Sequence, residues 1–203
     1  MGKGKFSMQL IIHFKKKGMM RFLSAIETSN TILRILKRTA LEMEYSQGFH
    51  PTPKVSFLDS TPTGVIDLAL YAAVKIRNAE LDPKCFLEEL KSKTVASIEP
   101  CDVFIDERNL NTLVSGYEYL LFFNKKPDFS IPLKKHSGKE FIPSNLMNIV
   151  DEFSKNRYYV VKYIVDKSNI FNPYLFEDVY IAIRTRAVVG NEGVNSLLQK
   201  ART

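Results

Sequence analysis

The sequence predicts an α+β protein, with a ferredoxin-like, split βαβ unit over residues 1–110 and a second, smaller α/β unit over residues 111–203. Three observations carry this. Strand and helix signals run through Asp106 in the order strand, helix, strand pair, helix, strand. Arg108 to Ser115 is then polar, with two asparagines, and reads as a boundary. Beyond it αβ alternation resumes without an internal repeat. A chain of 203 residues, 45% hydrophobic and 25% charged, can build a core and has no tract that argues for disorder.

Gln9 to Phe14 is an apolar run with β-branched members, and Lys15-Lys16-Lys17-Gly18 ends it in a tight basic turn whose glycine can take positive φ. In Ser24-Ala25-Ile26-Glu27 the serine hydroxyl can accept from the Glu27 amide while the Glu27 carboxylate reaches back to the Ser24 amide, so a helix starts there. At about 100° per residue, Ile26, Ser29, Leu33, Leu36 and Ala40 gather on its packed side and leave Arg34 and Arg38 to solvent. Leu41 to Tyr45 and Lys54 to Leu58 read as strands, joined by a loop that Pro51 and Pro53 stiffen. Leu68 to Arg77 is a further strand, Asp82-Pro83 opens a helix through Lys93, and Ala96 to Asp106 is extended. In the second half Tyr117 to Phe123, Tyr158 to Val165 and Val179 to Ala187 read as strands, and Lys125 to Lys139 as a basic connection. Ser144 to Ser154 has helical spacing in Leu146, Ile149, Val150 and Phe153. Asn172-Pro173 is a turn, and Asn195 to Lys200 a short helix or frayed tail.

The net charge of +7 is unevenly spread: residues 1–57 hold ten basic side chains against three acidic ones, and the rest of the chain balances. A localised positive field favours a polyanion, because each neutralised phosphate releases condensed counterions. The expectation is one phosphate-contacting surface made by Lys15, Lys16, Lys17, Arg21, Arg34, Arg38 and Lys54 beside the stiff loop. No apolar run approaches the roughly 20 residues of a membrane span, and no small-residue cleavage site follows the basic start, so the protein is expected to be cytoplasmic, without membrane contact. Cys85 and Cys101 read as reduced, packed cysteines. Two cysteines and three dispersed histidines give neither an iron–sulfur nor a zinc ligand set, so no metal or cofactor is expected.

The densest group of distinctive residues is Arg21-Phe22-Leu23-Ser24, then Tyr45-Ser46-Gln47-Gly48-Phe49-His50-Pro51-Thr52-Pro53, then Ser56-Phe57, then Pro62-Thr63-Gly64. Over about residues 8 to 105 this string resembles the radical-SAM-linked domain family, whose members occur fused to, or encoded beside, B12-binding radical SAM proteins in bacteria. Where that family usually has His and Asp after the serine, this chain has Ala25 and Glu27. The resemblance implies partnership with a radical SAM enzyme, with RNA, tRNA or rRNA among the choices, as a shared substrate. The chain itself lacks the Cys-x-x-x-Cys-x-x-Cys run that holds a radical SAM cluster, so it is at most an accessory to that chemistry.

These readings converge on a non-catalytic, RNA-associated accessory module. Phosphates would meet the seven cations, and the recognition loop would be Tyr45, Ser46, Gln47, Gly48, Phe49, His50, Pro51 and Pro53. Phe22, Tyr45 and Phe49 could stack on bases, although aromatics on strands ordinarily join the core. One alternative is a metal-independent endoribonuclease in which His50 works with Tyr45 or His13, and Lys54 or Arg21 stabilises the phosphorane. A protein-interaction scaffold is another. His13, in an apolar strand, otherwise reads as a core histidine and His136 as exposed. Asp106-Glu107 and Glu177-Asp178 point to opposite faces of extended chain and form no carboxylate dyad.

Overall fold

The computed structural model describes residues 8–77, 81–135 and 137–201, so His136 and the first seven residues lie outside the described part. β1 (Met8–Lys16) is buried along nearly its whole length because its alternate residues meet two cores: Leu10, Ile12 and Phe14 pack against the helices, and Ile11 packs on the other face. A strand covered on both faces reads as a continuous apolar run. Gly18 takes φ +53 in the following turn, where an added Cβ would meet Ser97 Oγ at 2.6 Å.

α1 (Ala25–Leu36) opens on the expected capping box, with the Glu27 amide donating to Ser24 Oγ at 3.3 Å and the Ser24 amide donating to Glu27 Oε2 at 2.8 Å. Its packed face differs from the expected one. Thr28, Ile32, Ile35 and Leu36 are buried, Ile26 is 73% exposed, and Ala40 falls beyond the helix end. The stripe is turned toward Thr28, whose hydroxyl receives the Lys16 ammonium from β1 at 3.5 Å.

The strand expected over Leu41 to Tyr45 is reduced to isolated bridges at Met43 and Tyr45; β2 (Val55–Phe57), β3 (Ile66–Ile76), α2 (Pro83–Lys93), capped by Asp82, and β4 (Ile98–Ile105) follow. After α3 (Leu110–Leu113) come β5 (Gly116–Phe123), a short hairpin of β6 (Leu133–Lys134) and β7 (Glu140–Phe141), β8 (Met147–Lys155), β9 (Tyr158–Asp166), β10 (Val179–Val189), β11 (Glu192–Gly193) and α4 (Val194–Lys200). The sheet is larger than a small split βαβ unit. Among the described residues it has nine strands, with the main path β4-β1-β3-β10-β5-β9-β8, β2 on β3 and β11 on β10. β3 shares its outer edge: β2 pairs antiparallel with residues 72–74, and β10 pairs parallel through Ile183–Ile66 and Arg184–Asp67. The sheet and one core, including Ile11, Tyr71, Phe104, Tyr117 and Tyr163, therefore continue across the expected boundary, which falls on α3.

The helix expected over Ser144 to Ser154 is instead a 3-10 turn followed by β8, an exposed edge strand paired with β9. The register skips a residue between Ile149 and Asp151, so Val150 is an inserted bulge residue. A bulge resets the two-residue alternation by one, and Ile149, Val150 and Phe153 then imitate helical spacing. Cys85 and Cys101 are unpaired; Cys85 is exposed and donates to Asp82 Oδ2 at 3.1 Å, so it does not pack. Among the described residues no helix is long and apolar enough to cross a membrane.

Candidate nucleic-acid interface

The single cationic surface expected from residues 15–54 is not formed. Arg21 lies at the start of β3, where its carbonyl accepts from the Gly64 amide at 2.9 Å, together with the end of β1 that carries Lys15, Lys16 and Lys17. The chain leaving α1 ties onto the opposite end of β3 through a Met43–Ile76 bridge. The eleven residues of β3, about 35 Å at roughly 3.3 Å per residue, separate Arg21 from the end that holds Lys54, and the twelve residues of α1, about 18 Å at roughly 1.5 Å per residue, separate it from Arg38. Within each group the cations also differ. Lys17 pairs with Glu99 at 2.8 Å and Lys54 with Glu44 at 3.0 Å. Lys16 is 2% exposed and so is withdrawn from any surface; burial lowers its pKa, against the pull of Asp67. Arg21 lies over the Phe22 ring at 4.7 Å. Lys15 is half-buried, and the most open cations are at the carboxyl end of α1, where Arg34, Lys37 and Arg38 are exposed and have no ion pair among the described residues.

The loop leaves the end of β3 that meets Met43 and Lys54. Tyr45 bridges Pro53, the Ser46 amide donates to the Thr52 carbonyl at 2.8 Å, and the Thr52 amide donates to Ser46 Oγ at 3.0 Å. Gln47 to Pro51 thus forms a closed knuckle, in which Gly48 takes φ +142, a region that favours glycine. Phe49 stands at its tip with 103% relative exposure, and Tyr45 and Phe22 are exposed too, so none of the three aromatics joins the core. His50 is exposed beside Phe49.

His13 cannot serve as a second proton-transfer group to His50. It is buried and stacked on Tyr71 at 4.7 Å. Its Nε2–H donates to the Leu68 carbonyl at 2.7 Å, which leaves Nδ1 to accept from Asn195 Nδ2 at 3.2 Å, while Asn195 Oδ1 accepts from the Tyr71 hydroxyl at 2.7 Å. Burial lowers the His13 pKa below its usual 6.5, outweighing the bond to Leu68. Above pH 6.5 both folded and unfolded chains carry it neutral. Below that, the unfolded chain takes the proton first, so stability falls as pH drops toward the folded value. Urea titrations of His13→Gln should show a shallower loss of stability between pH 6.5 and 5 than wild type; equal slopes would contradict this.

Two residues that sequence reasoning missed form the centre of the molecule. Arg184, fully buried, donates from Nε to Asp67 Oδ1 at 2.9 Å and from Nη2 to Asp67 Oδ2 at 2.6 Å, and lies over the Tyr117 ring at 4.6 Å. Of the acidic pairs, Asp106 grips Arg108 and Glu107 pairs with Lys75 at 2.9 Å, so neither is a free acid. Residues 9–169 match a family model described as "Uncharacterized protein conserved in bacteria (DUF2344)". No curated protein matches the chain.

Proposed function

The chain belongs to this family of uncharacterized proteins conserved in bacteria, and from that premise we propose that it is an RNA-associated accessory protein that serves a radical SAM partner. The observations that carry the RNA part are an exposed aromatic knuckle and, on α1, exposed cations with no ion pair among the described residues. Phe49 offers a face for an unpaired base, while Arg34, Lys37 and Arg38 offer charge to the backbone. The radical SAM part rests on the string from Arg21 to Gly64. The order β4-β1-β3, with β2 on β3, supports a split βαβ arrangement of the amino-terminal part.

Binding of tRNA and single-stranded RNA across a salt series tests the first part. Removing two phosphate contacts in Arg34→Ala/Arg38→Ala should flatten the slope of log affinity against log salt by about 1.4 on single strands. No wild-type binding, or an unchanged slope in the variant, refutes it. A radical SAM protein should co-purify with the tagged chain from its own cells, and a failure to do so counts against the second part.

A further inference from the structure

We propose that the cleft under the amino end of α1 is a binding site for a phosphate group, with the Lys16 ammonium and the Thr61 hydroxyl as its buried ligands. The cleft measures about 20 Å³ and is lined by Lys16, Ala25, Thr28, Thr61 and Asp67, among others. That exceeds the roughly 10–15 Å³ one water-sized group needs. Lys16 is 2% exposed, and its ammonium makes a single long bond, 3.5 Å to Thr28 Oγ1. Among the described residues no carboxylate lies within ion-pair distance of it, and Asp67, its partner in the β1–β3 register, acts on it from farther off. Thr61 is 5% exposed, and its buried hydroxyl has no hydrogen-bond partner. Two polar groups, both more than nine-tenths buried, thus line one small space with bonding capacity to spare.

Charge decides between an anion and a neutral guest. Asp67 is held by both ends of the Arg184 guanidinium, so Lys16 and Arg184 against Asp67 leave one buried positive charge in excess. The first turn of α1 lines the same wall, its pole already met by the Glu27 carboxylate. Water would satisfy the hydroxyl but not the charge; an oxyanion satisfies both. The narrow space admits one phosphate oxygen, with the rest of the group at the mouth. That suits inorganic phosphate or a terminal phosphomonoester better than a mid-chain phosphodiester with a sugar on each side. Three of the four distinctive sequence segments meet here. Phe57 lines the cleft, Thr61 precedes Pro62, and the Gly64 amide binds the Arg21 carbonyl just before the Ser24 cap. The site lies at the other end of α1 from Arg34 and Arg38, so it stands or falls separately from RNA binding.

Thermal unfolding of the full chain tests it, with sodium phosphate, 5′-AMP, and sodium chloride at matched ionic strength. At a phosphate concentration about ten times its Kd, the wild-type midpoint should rise by about 3–6 °C beyond the chloride control. A response to phosphate alone identifies the free ion, and a response to 5′-AMP as well identifies a phosphomonoester; both support the site. Without phosphate, Lys16→Met should melt at or above the wild-type temperature, because it removes a buried charge whose nearby carboxylate, Asp67, is already held by Arg184, and it should lose the phosphate response. Thr61→Val keeps the shape and should weaken that response. The proposal is overturned if chloride matches phosphate, if Lys16→Met responds like wild type, or if Lys16→Met melts well below wild type while Thr61→Val responds fully.

Discussion

Asp67→Ala is expected to lower folding stability by about 3–5 kcal/mol, the usual cost of stranding one member of a buried ion pair. Asp67 and Arg184 are 1% and 0% exposed and face each other in the parallel register that joins β3 to β10. Burial lowers the Arg184 pKa, but the Asp67 carboxylate, with Tyr119 and Tyr117 beside it, raises it above its usual value, so the guanidinium stays charged. Its other donors go to the Asp59 and Ala69 carbonyls, neither of which neutralises it. Without Asp67, Arg184 and Lys16 would share the interior with no buried carboxylate between them among the described residues. Urea unfolding measures the loss directly. Asp67→Ala/Arg184→Met, which removes the stranded guanidinium too, should regain most of it. A single-variant loss below about 1 kcal/mol, which is the scale of an exposed pair, would show that water reaches the site.

The pair was invisible in the sequence for a physical reason. Asp67 and Arg184 each sit in a strand where an alternating polar residue is ordinary, and only the parallel contact between β3 and β10 makes them neighbours. Local signals fared better: the Ser24–Glu27 box, the Asp82-Pro83 start and Gly18 are all set within a few residues, and each stands where its chemistry requires. Charge counted in a window failed differently. The excess over residues 1–57 is real, but Lys17 is answered by Glu99 from β4, and Lys16 folds inward against α1. A segment's charge limits the field of a surface without fixing it, because partners arrive from any distance along the chain. The β8 bulge is the same lesson in pattern form, since one inserted residue made an edge strand look helical.

Phe49→Ala is expected to weaken single-stranded RNA binding by about tenfold or more, the scale of losing one base–aromatic stack, while leaving the fold alone. The ring touches solvent on all sides, so its removal opens no cavity, and the melting midpoint should stay within about 2 °C of wild type. The knuckle keeps its shape because the Ser46–Thr52 bonds and the two prolines hold it from below. The salt slope should not move, because a phenyl ring displaces no counterions. That separates it from Arg34→Ala/Arg38→Ala, which should change the slope, and Phe49→Trp should restore affinity where Phe49→Leu does not. If Phe49→Ala binds RNA as wild type does, the knuckle is not a stacking platform. RNA affinity would then rest on charge alone, and the exposed ring would have to be explained by the protein partner.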